Sequence, residues 1–98
     1  MDDYLFQLTD KTGRKIHLSN ESRKIIRKKH PEVESYEKIE ETLKYPTKIT
    51  DYSIDESIRY YYRYYKHLPS PDKYLFVVVK YLNGTGFVVT AYFEDKIQ

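Results

Sequence analysis

The chain contains no cysteine and no tryptophan, and only three glycines and four prolines among 98 residues. Without cysteine there can be neither a disulfide framework nor a thiolate zinc site. No apolar run approaches the ~20 residues that a membrane-crossing helix needs. Met1-Asp2-Asp3 is acidic and no apolar signal region follows it, so a cytoplasmic protein with no membrane partner is expected. His17, His30 and His67 are scattered without metal-ligand spacing. A phosphate-binding glycine loop, an HExxH motif and a dinucleotide fingerprint are all missing. No metal and no cofactor are therefore expected.

What is present is an ordinary globular balance, 40% hydrophobic and 33% charged, with a net charge of +2. The length fits one domain spanning residues 1–98 with one modest core. So slight a positive charge permits a nucleic-acid partner but argues against a protein that coats DNA in bulk. The 12 tyrosines are the unusual feature. A tyrosine offers a ring for stacking and a hydroxyl for phosphate or base contacts; it also simply favours half-buried strands.

Tyr4–Leu8 and Lys15–Leu18 flank Asp10-Lys11-Thr12-Gly13, which predicts a β-hairpin within residues 1–18, turned by Gly13. Two helices are expected within residues 19–46. Ser19 or Asn20 caps the first, which turns Ile25 and Ile26 inward and stops at His30, because Pro31 follows. Ser35 caps the second, whose inward face is Tyr36, Ile39 and Leu43 and which Pro46 ends. Residues 47–96 then read as a four-stranded antiparallel meander: a weak strand from Thr47 to Ile54, then Ile58–Tyr65, Tyr74–Tyr81 and Phe87–Phe93, with a proline loop at Leu68–Asp72. The fold class is α+β, with the helices packed on one face of the sheet.

Strand alternation sorts the meander into two faces. A three-residue turn, Leu82-Asn83-Gly84, would gather Val77, Val79, Phe87, Val89 and Ala91 on a greasy face. The opposite face would then hold Arg59, Arg63, Lys80, Thr90 and Tyr92. A two-residue Asn83-Gly84 turn would instead put Lys80 among Phe87 and Val89, at the cost of a stranded charge. The three-residue turn is expected for that reason.

On the basic face, Arg59, Arg63 and Lys80 can hold a phosphate, arginine with a fork of donors and lysine as a point charge. Thr90 and Tyr92 add hydroxyls. His30, between a helix end and Glu32, has the chemistry for moving protons near neutral pH. The bland alternatives are a helix stop at His30-Pro31-Glu32 and solubilising charges on an exposed sheet. Convergence on one face favours the functional reading.

Lys29-His30-Pro31-Glu32-Val33, the Tyr62-Arg63 strand, Phe76–Lys80 and Gly86–Tyr92 together resemble the phage-associated nuclease group of the barnase–EndoU–colicin–RelE-like superfamily. The resemblance covers roughly Ser19 to Lys96, and the hairpin Tyr4–Leu18 is the departure from it. It implies helices followed by a four-stranded antiparallel sheet, and a metal-independent endoribonuclease, often a toxin or a phage-encoded domain. The implied catalytic set is His30, Arg63, Lys80 and Thr90, with Glu32, Arg59 and Tyr92 as accessory residues. The implied reaction is attack of a ribose 2′-hydroxyl on the adjacent phosphate to leave a cyclic phosphate. RNA is the expected substrate, and an antitoxin or immunity protein the expected protein partner. Two other readings compete. One is a non-catalytic RNA- or protein-binding module that uses Tyr61 and Tyr65 on the same face. The other is an oligomer interface built on the tyrosines.

Overall fold

The computed structural model describes residues 4–10, 12–33, 35–52, 54–68 and 71–97. Met1–Asp3, Lys11 of the expected first turn, and Pro69 and Ser70 of the expected proline loop lie outside the described residues. The elements follow in the order β1 (Tyr4–Thr9), β2 (Lys15–Ser19), α1 (Asn20–Lys29), α2 (Tyr36–Lys44), β3 (Lys48–Asp51), β4 (Ile58–Tyr64), β5 (Tyr74–Leu82) and β6 (Thr85–Glu94).

The expected class, α+β, is what forms, and β3 to β6 are an antiparallel meander. The sheet as a whole differs from the expectation. It is six-stranded and mixed, in the order β1-β2-β6-β5-β4-β3. The β1–β2 hairpin extends the meander, and β2 joins β6 in parallel, with Lys15, Ile16 and His17 opposite Thr85, Gly86 and Phe87. An isolated hairpin is marginal in water, and this docking supplies what it lacks. β3 is shorter than expected, and Ile54 lies beyond it, exposed.

Both helices begin on a serine and end before a proline. Ser19 Oγ accepts the Ser22 amide and Ser35 Oγ accepts the Glu37 amide, each at 3.1 Å, satisfying donors that the first turn leaves open. His30 (φ −133°, ψ 69°) and Tyr45 (φ −132°, ψ 62°) leave the helical conformation, because the proline ring crowds the residue before it. Ile26 of α1 and Ile39 and Leu43 of α2 are buried, whereas Ile25 is 52% exposed. The expectation of two inward isoleucines is corrected to one: adjacent helical positions lie about 100° apart, and the apolar stripe of so charged a helix admits only Ile26.

The core lies between the helices and one face of the sheet. It includes Phe6, Leu8, Ile16, Leu18, Tyr61, Leu75, Val77, Val79, Tyr81, Val88 and Ala91. The expected β5–β6 turn is overturned. Asn83 (φ 54°) and Gly84 (φ 81°) form a two-residue turn that pairs Leu82 with Thr85 and Lys80 with Phe87. Positive φ at both central positions is the turn that matches strand twist, and Asn-Gly is its preferred sequence. The charge is not stranded, because a β-bulge follows. Val79 pairs with Val88 and Val78 with Thr90, leaving Val89 as the extra residue, half exposed. The bulge changes the phase of β6, so Val88 and Ala91 both reach the core while Phe87 joins Lys80 outside.

Gly86 lies opposite Tyr81, under its ring. A Cβ there would come within 2.9 Å of Tyr81 Cε1, 3.0 Å of Val79 Cγ1 and 3.1 Å of Ile16 Cγ1. Gly86→Ala is expected to cost about 1–3 kcal/mol through overpacking. Urea unfolding measures it, and an unchanged midpoint would show that the Tyr81 ring simply moves aside.

Candidate active site on the open face

The register of β4 decides which side chains meet. Arg59 pairs with Val79, Tyr61 with Val77 and Arg63 with Leu75. Cross-strand partners point to the same side, so Arg59, Tyr61 and Arg63 face the helices with those core residues. Ile58, Tyr60, Tyr62 and Tyr64 face the other way. This inverts the expected phase of the strand, a one-residue difference that exchanges the faces completely.

The consequences for the expected site are direct. Arg63 is tied to α2 and its C-terminal end: Nε lies 3.3 Å from Glu41 Oε1, and an Nη1 proton goes to the Tyr45 carbonyl at 2.6 Å. Arg59 pairs with Asp51 at 3.3 Å and lies beside the Tyr81 ring. Tyr61 is buried, and its hydroxyl meets that of Tyr81 at 2.6 Å. Tyr65 donates to Glu41 at 2.7 Å; burial, then that bond, pushes its hydroxyl up to about 12. None of these four shares a face with Lys80 and Thr90, as the expectation required.

Other expected residues do share a face. Thr90 and Tyr92 pair with Val78 and Phe76 on the open face, and Lys80 pairs with Phe87 and Ile58 there. α1 packs against β6, and His30 at its end meets Tyr92 of that strand. The imidazole stacks on Tyr92 with centroids 5.0 Å apart and planes 25° from parallel. Glu32 lies next to it, Oε2 3.7 Å from His30 Nδ1, an ion pair only while the imidazole is protonated. The Lys80 charge reaches the β3–β4 connection. There the Asp55 carboxyl is held below its usual range, chiefly by hydrogen bonds from the Ser57 hydroxyl and amide, with a smaller share from Lys80.

Between these groups lies a cleft of about 390 Å³, lined by Thr50, Asp51, Ile58, Tyr60, Tyr62, Phe76, Val78, Thr90, Tyr92 and Glu94. Phe76 is its hub, with Tyr60 and Tyr62 at 5.0 Å and Tyr92 at 5.1 Å. Tyr52 extends the row from Tyr60 at 5.9 Å. Burial first, then the charge of Glu94 and a hydrogen bond to it, raises the Tyr92 hydroxyl above its ordinary value, so it stays a neutral donor at physiological pH. Rings and hydroxyls thus line the cleft, while the Lys80 ammonium and the His30 imidazole lie outside its lining. Such a surface suits stacked bases, with a phosphate beside them.

Sequence reasoning passed over Tyr60, Tyr62, Phe76 and Glu94. Phe76 shares the alternation of Lys80 along β5, whereas Tyr60 and Tyr62 reach this face only through the register of β4, for which the sequence carries no local signal. Among the described residues no group of three or more His, Cys, Asp or Glu side chains is arranged to hold a metal ion. Among the same residues no helix is long and apolar enough to cross a membrane. Comparison with protein-family models, with curated proteins and with solved structures finds no match to this chain.

Proposed function

We propose that the chain is a small endoribonuclease that works without a metal ion, and that its site is the open face rather than the helix side of β4. The observation that carries this reading is the stack of His30 on Tyr92 at 5.0 Å. The imidazole lies at the margin of a face that also holds Thr90 and Lys80. In the reaction, a ribose 2′-oxygen bonds to the adjacent phosphorus and the bond to the 5′-oxygen breaks, leaving a 2′,3′-cyclic phosphate. His30 takes the 2′-hydroxyl proton and returns it to the departing 5′-oxygen. Lys80 offsets the charge that grows on the phosphorane, and the Thr90 hydroxyl bonds a phosphate oxygen. Bases lie on the partly exposed rings of Tyr52 and Tyr60, beneath which Tyr62 and Phe76 are buried. An antitoxin or immunity protein would inhibit by covering this face.

A second reading, an RNA-binding module without turnover, is favoured by one observation. Arg59 and Arg63 are committed to Asp51 and Glu41, which leaves the cleft without arginine among the described residues that line it. A labelled RNA incubated with the protein and a chelator separates the two. Cleavage with cyclic-phosphate ends supports the first; salt-sensitive binding with intact RNA supports the second. Full activity in both His30→Ala and Lys80→Ala proteins would remove the assigned site.

A further inference from the structure

We infer that the hollow between α2 and the β4–β5 connection is a second anion site, which holds a phosphate of single-stranded RNA at a distance from the bond that is cut. The inference rests on the reading of the open face as an RNA site. The hollow measures about 450 Å³, and Lys38, Arg63, Lys66 and His67 line it together with Tyr64 and Tyr65. Glu41, the carboxylate among the described residues that line it, already accepts hydrogen bonds from Arg63 at 3.3 Å and Tyr65 at 2.7 Å. Arg63 is held rigidly by Glu41 and the Tyr45 carbonyl, and a guanidinium carries five donors. Donors beyond these two bonds remain for a ligand, in a fixed orientation.

Placement argues for RNA. Lys80 pairs with Ile58 at one end of β4, while Tyr64 lies at the other end, paired with Tyr74, their tilted rings 5.1 Å apart. Six residue steps along the strand separate these ends by about 20 Å. The described residues that line the cleft between them are aromatic, hydroxyl and aliphatic side chains with Asp51 and Glu94, and include no lysine or arginine. A strand that lies along the open face of β4 and turns over its Tyr64 end therefore meets cations at both ends, Lys80 on the open face and the hollow on the helix side, with the Tyr60 ring between. Arg63 becomes a group that grips the strand rather than one that meets the reacting phosphate.

Fluorescence anisotropy of a labelled single strand of about ten nucleotides, titrated with the full chain over a range of salt, tests this. Lys38→Gln/Lys66→Ala should raise Kd and flatten the salt slope by about 0.7 for each phosphate no longer neutralised. Binding and cleavage of a dinucleotide, too short to reach the hollow, should not change. Lys66 is exposed and Lys38 half-buried, and unchanged circular dichroism confirms that the variant is folded. An unchanged Kd and slope, with cleavage intact, overturns this site and leaves the nuclease reading standing. A wild-type protein that neither binds nor cleaves the strand overturns both.

Discussion

Replacing His30 with alanine is expected to lower kcat for RNA cleavage by about 10²–10⁴-fold, the usual contribution of a positioned proton-transfer group. KM should change little, because the imidazole lies beside the cleft rather than in its floor. The substitution is well suited as a probe. His30 keeps 31% of its side chain exposed and contacts the Tyr92 ring and Glu32, so lost stacking costs only about 0.5–1.5 kcal/mol of stability. A folded but inactive variant would thus report on chemistry. Lys80→Ala should lose about 10²–10³-fold by removing a donor aimed at developing charge. If the two groups act on one transition state, the double variant should fall far short of the product of the single losses. Single-turnover cleavage of a short labelled RNA measures all three, and wild-type rates for both single variants would refute the assignment.

The largest stability effect is expected at Asp10, whose side chain is only 3% exposed. Its carboxylate accepts hydrogen bonds from the Thr12 amide at 2.8 Å, the Thr12 hydroxyl at 2.7 Å, the Arg14 amide at 3.0 Å and the Tyr81 hydroxyl at 2.9 Å. Tyr81 in turn meets Tyr61, and the Arg14 guanidinium covers the Tyr81 ring at 3.8 Å. One carboxylate therefore closes its own turn and ties that turn to β5. Asp10→Ala leaves the Arg14 charge, the Tyr81 hydroxyl and two amides without their acceptor, and should cost about 3 kcal/mol.

The pH dependence follows from the same contacts. Burial opposes the charge of Asp10, yet the hydrogen bonds from Thr12, Arg14 and Tyr81 together outweigh it and hold the carboxyl below its usual range. A carboxyl depressed in the folded state adds stability above its unfolded value of about 3.9, and that part disappears as pH falls through the folded value. The gap between wild type and Asp10→Asn should be full at neutral pH and shrink in acid. Urea unfolding at both pH values reads it; equal stabilities at neutral pH would show that the turn holds itself without the carboxylate.

How much of this is legible depends on whether a signal is local. Serine caps, proline stops and the apolar periods of α2 and β5 are written within a few residues, and those elements appear where expected. The phase of β4 is set by the connection from Tyr65 to Lys73, which carries no two-residue turn signature to fix register. The expected placement of Arg59 and Arg63 assumes that arginines seek the wet face. They instead use their length to reach Asp51 and Glu41 along the helix side. The Val89 bulge is invisible in the sequence because an inserted residue has no composition of its own, and without it Asn83-Gly84 contradicts the apolar pattern. His30 is legible because helix end, proline and charge all coincide there. That its ring meets Tyr92 requires the third dimension.

The parallel seam between β2 and β6 has a consequence for how the molecule assembles. Its partners, Ile16 and Gly86, are separated by most of the chain, and closing so long a loop is entropically slow. The β4–β5–β6 meander is local and is expected to organise early, with the amino-terminal ribbon added late. A weakened seam should therefore hasten unfolding while leaving the refolding rate almost untouched, so the hairpin acts as a latch that sets how long the folded molecule lasts. Stopped-flow folding of Ile16→Val would show it, and a slowed refolding arm would mean the latch forms first.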